Sequence, residues 1–407
     1  MRDFLPAEKA RRERVLQRIR SVYRAHGFDE IETPVVEDAS RLHAGLGGDN
    51  EKLAFAVMKR GLTMDALAEA ANPLELADLG LRFDLTVPLA RYYASNRGQL
   101  PSVFRAIQIA PVWRAERPQK GRYRQFVQCD IDIIGEPGII AEAELITATA
   151  AALDALGVPG CSIRVNDRRL LTAWLAAFEV PESLRPAALI SMDKLDKIGL
   201  DGVVAELQAI GVEHADELFA GLHPALEGDE SWRMLDHAVF AVSAAAADLR
   251  SLRAAAGEIP LVFDPFLVRG MGYYTGPIFE VAHPDVGYSL GGGGRYDGMI
   301  GRFLGTEVPA CGFSLGFERL IDLVELGDET DDGAALLYER EADLATVIAL
   351  KNTLVAEGAR VRLLARPKNM KAALEQLEAE GFTRFAVIGR DAGADAGALD
   401  WRRLNDR

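Results

Sequence analysis

Between Arg82 and Gly135 the sequence sets cationic side chains beside a run in which amides and carboxylates alternate with apolar residues: RFDLTVPLARYY, then VWRAERPQKGRYRQFVQCDIDIIG. From Trp113 to Arg124 there are five Arg or Lys residues and one Glu. Arginine grips phosphate well because its planar fork makes two parallel charge-assisted bonds. Arg114 ends a strand-like run, and Glu116, two positions on, can accept from an exocyclic amine while the arginine holds a phosphate. Gly121, lying among cations in KGRY, lets the loop fold down over a ligand.

Gln128, Asp130 and Asp132 share one parity, so on a strand their side chains point the same way, while Val127, Cys129, Ile131 and Ile133 face a core. Three inward polar groups need a partner or cost several kcal/mol; an ammonium or an imidazole would serve. Asp84 and Thr86 form a similar pair for the same amine. Further on, Arg269 precedes GMGYYTGPIFE, where Tyr273 and Tyr274 would point to opposite sides of a strand. Gly291 to Gly294 leave close backbone access and hand over to Arg295, without the spacing of a phosphate-binding loop. Arg319, after FSLGFE, sits at a strand-to-helix junction suited to a triphosphate tail. There is no HExxH, no GxSxG and no cluster of Cys and His ligands.

Short elements must hold these groups. A helical period over residues 6–26 carries Val15, Ile19 and Val22 and stops at Gly27. FDEIETPVVE alternates like a strand, and Leu53 to Ala71 has a helical pattern before the turn-like NPLELADLG. A helix is expected over Val87–Arg97, strands over Phe104–Val112 and Gln125–Ile134 joined by the basic loop, and a helix over Ala141–Leu156. Helical patterns dominate from about 165 to 255, which reads as an insertion. Strands resume at Ile259–Val262 and Thr275–Val281, and CGFSLGFERLIDLV passes from strand to helix. An acidic linker, ELGDETDDG, divides a domain over 1–325 from a small α/β domain over 333–407, in which VIAL, VRLLA and FAVIG are expected strands and KNMKAALEQLEAEG a helix.

The 407 residues suffice for two or three cores. No apolar run is long enough to cross a bilayer, the N-terminus lacks the pattern of a secretory signal, and three scattered cysteines offer neither a disulfide framework nor a metal site; cytoplasmic residence is expected. A net charge of -15 argues against coating DNA and favours a small phosphorylated ligand or one folded RNA docked by chosen contacts.

Together these segments resemble class II aminoacyl-tRNA synthetases, and among them the histidyl-tRNA synthetases. GFDEIETPVVE is similar to the first class motif, with Pro34 in the place of its dimer-interface proline. VWRAERPQKGRYRQFVQCDIDIIG is similar to the second motif and CGFSLGFERL to the third, while LVRGMGYYTGPIFE and GGGGRYDG resemble the signatures of the histidine enzymes. The resemblance implies an α+β fold: a six- or seven-stranded antiparallel sheet of the class II synthetase type flanked by helices, a helical insertion, and a small anticodon-binding-like α/β domain, here shortened. It implies an ATP-dependent histidine–tRNA ligase using ATP and Mg²⁺, working as a homodimer on tRNA(His) and small-molecule histidine, with no DNA or membrane partner. Carried over by position, Arg114 and Arg319 hold ATP phosphates, Glu116 reads adenine, and Arg122 and Tyr123 also belong to the ATP site. Asp84, Thr86 and Gln128 hold the amino group of histidine, Asp132 with Tyr273 or Tyr274 reads its imidazole, and Arg269 joins Arg114 in catalysis by stabilising the α-phosphate. Gly272 stands where the family carries an aspartate, and Val127 where it carries an aromatic. Paralogues that do not aminoacylate, such as the regulatory subunit of ATP phosphoribosyltransferase, tend to lose the phosphate arginines and the C-terminal domain. Retention of Arg114, Arg122, Arg269 and Arg319 favours the ligase.

Overall fold

The computed structural model describes the chain apart from residues 43–52, 118–120, 122, 220–228, 242, 269–272, 326–332 and 405–407. Its strands, in chain order, are β1 (Asp29–Glu30), β2 (Val36–Asp38), β3 (Phe55–Met58), β4 (Ala77–Leu81), β5 (Phe104–Trp113), β6 (Gln125–Ile134), β7 (Ser162–Asp167), β8 (Leu261–Phe263), β9 (Pro277–His283), β10 (Val286–Arg295), β11 (Ala310–Gly316), β12 (Gly333–Tyr338), β13 (Arg360–Ala365), β14 (Arg384–Ile388) and β15 (Arg402–Arg403). Two compact units emerge: Leu16–Glu325 with Met1, and Leu326–Arg407 with Arg2–Val15.

The first unit is built on an eight-stranded sheet ordered β1-β5-β6-β11-β10-β9-β7-β8. Its middle is antiparallel, whereas β1 pairs with β5, and β8 with β7, in parallel. The expectation of six or seven strands, all antiparallel, is therefore corrected by these two short parallel edges. One face of β6 buries Cys129, Ile131 and Ile133 completely. The Ala-rich helix Ile140–Ala155 buries Leu145, Ile146 and Leu153, and Ile19 and Tyr23 of the helix Pro6–Ala25 are also fully buried. The expected helix over Leu53–Ala71 is instead β3 followed by the short helix Met64–Glu69, with Thr63 accepting from the Ala66 N–H. The turn-like ADLGL is β4, the centre of a three-stranded sheet ordered β2-β4-β3. Helices from Arg168–Ala177 to Ala244–Ala256 form the stretch between β7 and β8.

The second unit carries a four-stranded sheet ordered β13-β12-β14-β15, with β13 and β14 both parallel to β12. VIAL is not a strand: it lies within the helix Leu344–Ala356, capped by Asp343, which accepts from the Thr346 N–H at 2.9 Å. Its leading strand is GAALLY, buried almost throughout. A four-residue apolar run fits either period, and the cap decides for helix.

Candidate active site

The polar face of β6 forms one wall of a cavity of about 260 Å³ in the first unit. Register explains its width. Gln128 faces Ala110 and Gly316, Asp130 faces Gln108 and Ser314, and Asp132 faces Ala106 and Gly312. The flanking positions are small or polar, so the long side chains of β6 stand clear of their neighbours. At Gly312 a Cβ would displace the Asp132 carboxylate, whose Oδ1 occupies its place.

Ten residues expected at the site line this one cavity: Asp84, Thr86, Arg114, Glu116, Tyr123, Gln128, Asp132, Tyr273, Tyr274 and Arg319. Arg122 and Arg269 lie outside the described residues, as does Gly272. Tyr273 and Tyr274 do not diverge across a strand. They precede β9 in a loop, touch edge to face at 4.8 Å between ring centres, and both line the cavity. Without strand pairing nothing imposes alternation. Arg295, reached through the glycine run, is not among the lining residues. Its guanidinium binds Glu142 with two bonds of 2.6 and 2.7 Å in a buried ion pair. The glycines themselves form the end of β10, where Gly293 packs so close to the Gly312 carbonyl that a Cβ has no room.

The cavity has a cationic and an anionic side. Arg114 Nε donates to the Phe83 carbonyl at 2.9 Å, and its guanidinium lies 5.0 Å from the centre of the Phe126 ring. Arg319, on the helix Phe317–Leu320, donates from Nε to Gly121 O at 2.9 Å and from Nη1 to Ser289 O at 2.7 Å. These bonds fix both guanidinium planes. The aromatic of this wall is Phe126; Val127 has the opposite parity and is not a lining residue, so its lack of a ring costs the cavity nothing.

Opposite in charge are Asp84, Asp130 and Asp132, each at most 4% exposed. Burial pushes the Asp84 carboxyl up to about 6, against the Val87 N–H and Arg114, which pull it down. Asp132 is pushed up to about 7, first by burial, with Tyr296 opposing and Asp84 adding. Asp130 is raised well above the usual carboxylate range by burial and then by Asp132. Asp84 Oδ1 accepts from Val87 N at 3.2 Å, at the start of the helix Thr86–Asn96. Asp84 Oδ2 and Gln128 Oε1 are buried acceptors with no hydrogen-bond partner among the described residues. Such groups are costly, and both line a cavity that can admit a donor.

Sequence reasoning left out three lining residues with clear chemistry, Tyr296, Ser314 and Glu318, and put Asp130 on the polar face without a separate role. Tyr296 donates from its hydroxyl to Asp132 Oδ1 at 2.5 Å. Asp130 and Ser314 both accept from the Gln128 amide, and Glu318 is a buried carboxylate beside Arg319. The parity of β6 was a sufficient signal for Asp130; Tyr296 and Ser314 reach the cavity through sheet register, which one strand read alone does not reveal. Among the described residues, no group of three or more His, Cys, Asp or Glu is arranged to hold a metal ion, and no helix is long and apolar enough to cross a membrane.

Comparison with known proteins agrees with this geometry. Residues 1–320 match the family model described as histidyl-tRNA synthetase. The histidine–tRNA ligase of Leifsonia xyli subsp. xyli is 59% identical, in an alignment covering all of this chain and 97% of that one. The crystal structure of histidyl-tRNA synthetase from Nostoc sp. PCC 7120 superposes with a TM-score of 0.78 at 25% identity, covering 99% of this chain and 93% of that one. A Bacillus halodurans structure described as an ATP phosphoribosyltransferase regulatory subunit/histidyl-tRNA synthetase shares the fold, with a TM-score of 0.75 at 21% identity over 96% of each chain.

Proposed function

The chain belongs to the histidyl-tRNA synthetase family, and from that premise we propose how its cavity activates histidine and passes it to tRNA(His). One observation carries the assignment. Two buried acceptors without partners among the described residues, Asp84 Oδ2 and Gln128 Oε1, line the same cavity as Arg114 and Arg319. An amino-acid ammonium satisfies the acceptors, and the arginines suit a triphosphate.

In this reading Asp84, Thr86 and Gln128 hold the α-amino group. Asp132, braced by Tyr296, holds the imidazole with Tyr273 and Tyr274. Arg114 and Arg319 grip the phosphates, while Glu116, Arg122 and Tyr123 complete the nucleotide side. The histidine carboxylate attacks the α-phosphorus of ATP, an O–P bond forms, and pyrophosphate leaves. No side-chain base is needed because the nucleophile is already anionic. Arg269 offsets the negative charge that builds on the α-phosphate. A ribose hydroxyl of the terminal adenosine of tRNA then attacks the activated carbonyl, and AMP leaves. Mg²⁺ bound with ATP would offset phosphate charge, and Glu318, a buried carboxylate beside Arg319, is the hard oxygen donor that would hold it.

The domain over 333–407 is assigned to the anticodon side of tRNA, and the working form to a homodimer in the cytoplasm. For the dimer, one face of the three-stranded sheet exposes Val36, Val57 and Leu79, which are 39%, 37% and 40% exposed, with Asp38 beside them. Retention of Arg114, Glu116 and Arg319 in the cavity disfavours the regulatory-subunit alternative. Histidine-dependent ATP–pyrophosphate exchange tests the reading; folded protein that shows none would overturn it.

A further inference from the structure

A carboxamide has a donor end and an acceptor end of nearly equal size, so what it recognises depends on which end its neighbours hold. For Gln128 the neighbours favour one end. Nε2 lies 3.3 and 3.2 Å from the two oxygens of Asp130 and 3.1 Å from Ser314 Oγ, so both of its hydrogens are used. Oε1 is left buried and without a partner among the described residues. Turning the amide over would set Oε1 against both Asp130 oxygens, at least one of which is an acceptor whether or not the carboxyl carries a proton, and present N–H groups to the ligand. Ser314 faces Asp130 across the β6–β11 pairing, so both members of the lock come from sheet register and not from a mobile loop.

We propose that Asp130, with Ser314, is a positioning residue that fixes the polarity of Gln128, so that this site accepts an ammonium and rejects ligands offering an acceptor there. The inference rests on the assignment of Gln128 to the α-amino group of histidine. It gives the third carboxylate of the cavity a task the reaction itself does not: Asp130 reads the ligand through Gln128. The site thereby discriminates histidine from the same imidazole acid without its amino group.

The test is a double-mutant cycle read by histidine-dependent ATP–pyrophosphate exchange, with imidazolepropionate as a competitive probe lacking the amino group. Asp130→Ala is expected to raise the histidine KM by about tenfold or more, with kcat and the ATP KM little changed, the pattern of a lost binding contact. In a Gln128→Ala background the same change should add less than about twofold, because residues acting through one another are not additive. The inhibition constant of imidazolepropionate should be the same for wild type and the Asp130 variants. Asp130→Asn, which keeps the shape and adds a donor end, should lie between wild type and Asp130→Ala. Equal KM increases for Asp130→Ala in the wild-type and Gln128→Ala backgrounds would overturn the proposal, since Asp130 would then meet the ligand itself. So would loss of imidazolepropionate binding in step with histidine, or an Asp130→Asn protein with wild-type KM should Asp130→Ala fail to fold. Absence of histidine-dependent exchange in the wild type is a separate failure: it removes the ligase reading, and this inference with it.

Discussion

Tyr296 closes the anionic side of the cavity by donating its hydroxyl to Asp132 Oδ1 at 2.5 Å, with both side chains buried. The bond opposes the burial that lifts the Asp132 carboxyl to about 7. Tyr296→Phe keeps the ring and removes that opposition, so the carboxyl moves further up. If ionised Asp132 holds the imidazole, kcat/KM for histidine falls as pH drops through that value, and the acid limb of the Tyr296→Phe profile starts at higher pH than in wild type. A pH series of exchange rates checks this; coincident acid limbs would contradict it.

Asp84 predicts a conflict between stability and binding. Its folded-state value, about 6, lies above the ordinary 3.8. Between those values the folded protein holds a proton that the unfolded chain releases. Stability present below about pH 4 is therefore lost as pH rises through 6. Asp84→Asn removes this loss, which is about 3 kcal/mol, and its Oδ1 can still accept from Val87. Thermal melts should show the variant more stable than wild type at pH 7.5 and converging with it at pH 4, while its histidine KM rises about tenfold or more.

Loss of a cation that acts on a developing charge depresses turnover more than binding. Arg269→Ala is expected to lower kcat of exchange by about 10²-fold or more, with a much smaller change in the histidine KM. Near-normal adenylation in single-turnover measurements would dismiss Arg269 as the α-phosphate cation.

Gly272 tests whether a charge missing from the family pattern matters to the pocket. Gly272→Asp should leave the circular dichroism spectrum and the melting temperature near those of wild type and alter chiefly the histidine KM. A large fall in folded yield would show instead that the position is set by backbone requirements.

Much of the site could be read along the chain because β5 and β6 are long and regular. Alternation on Gln125–Ile134 put Gln128, Asp130 and Asp132 on one face, and that face is the cavity wall. The helix Thr86–Asn96 and the strand-to-helix passage at Arg319 also followed from local pattern. Legibility failed where local pattern underdetermines structure. VIAL fits a strand or a helix equally, and its Asp343 cap decided the matter. Leu53–Ala71 was read with a single period although strand and helix divide it. Tyr296 and Ser314 escaped because their place depends on which strands become neighbours. The role of Arg295 was not legible because its partner, Glu142, lies 153 residues away in sequence.

The emptiness at Gly312 and Gly293 sets how this protein tolerates missense change. Each lacks a side chain because another atom already holds the space, the Asp132 carboxylate in one case and the Gly312 carbonyl in the other. At Asp130 a graded series exists, since asparagine retains part of what aspartate does. At the two glycines no such series exists: every replacement brings the same first carbon, so alanine meets the same obstruction as tryptophan. A saturation screen would therefore record them as all-or-none positions inside a wall whose other members degrade by degrees.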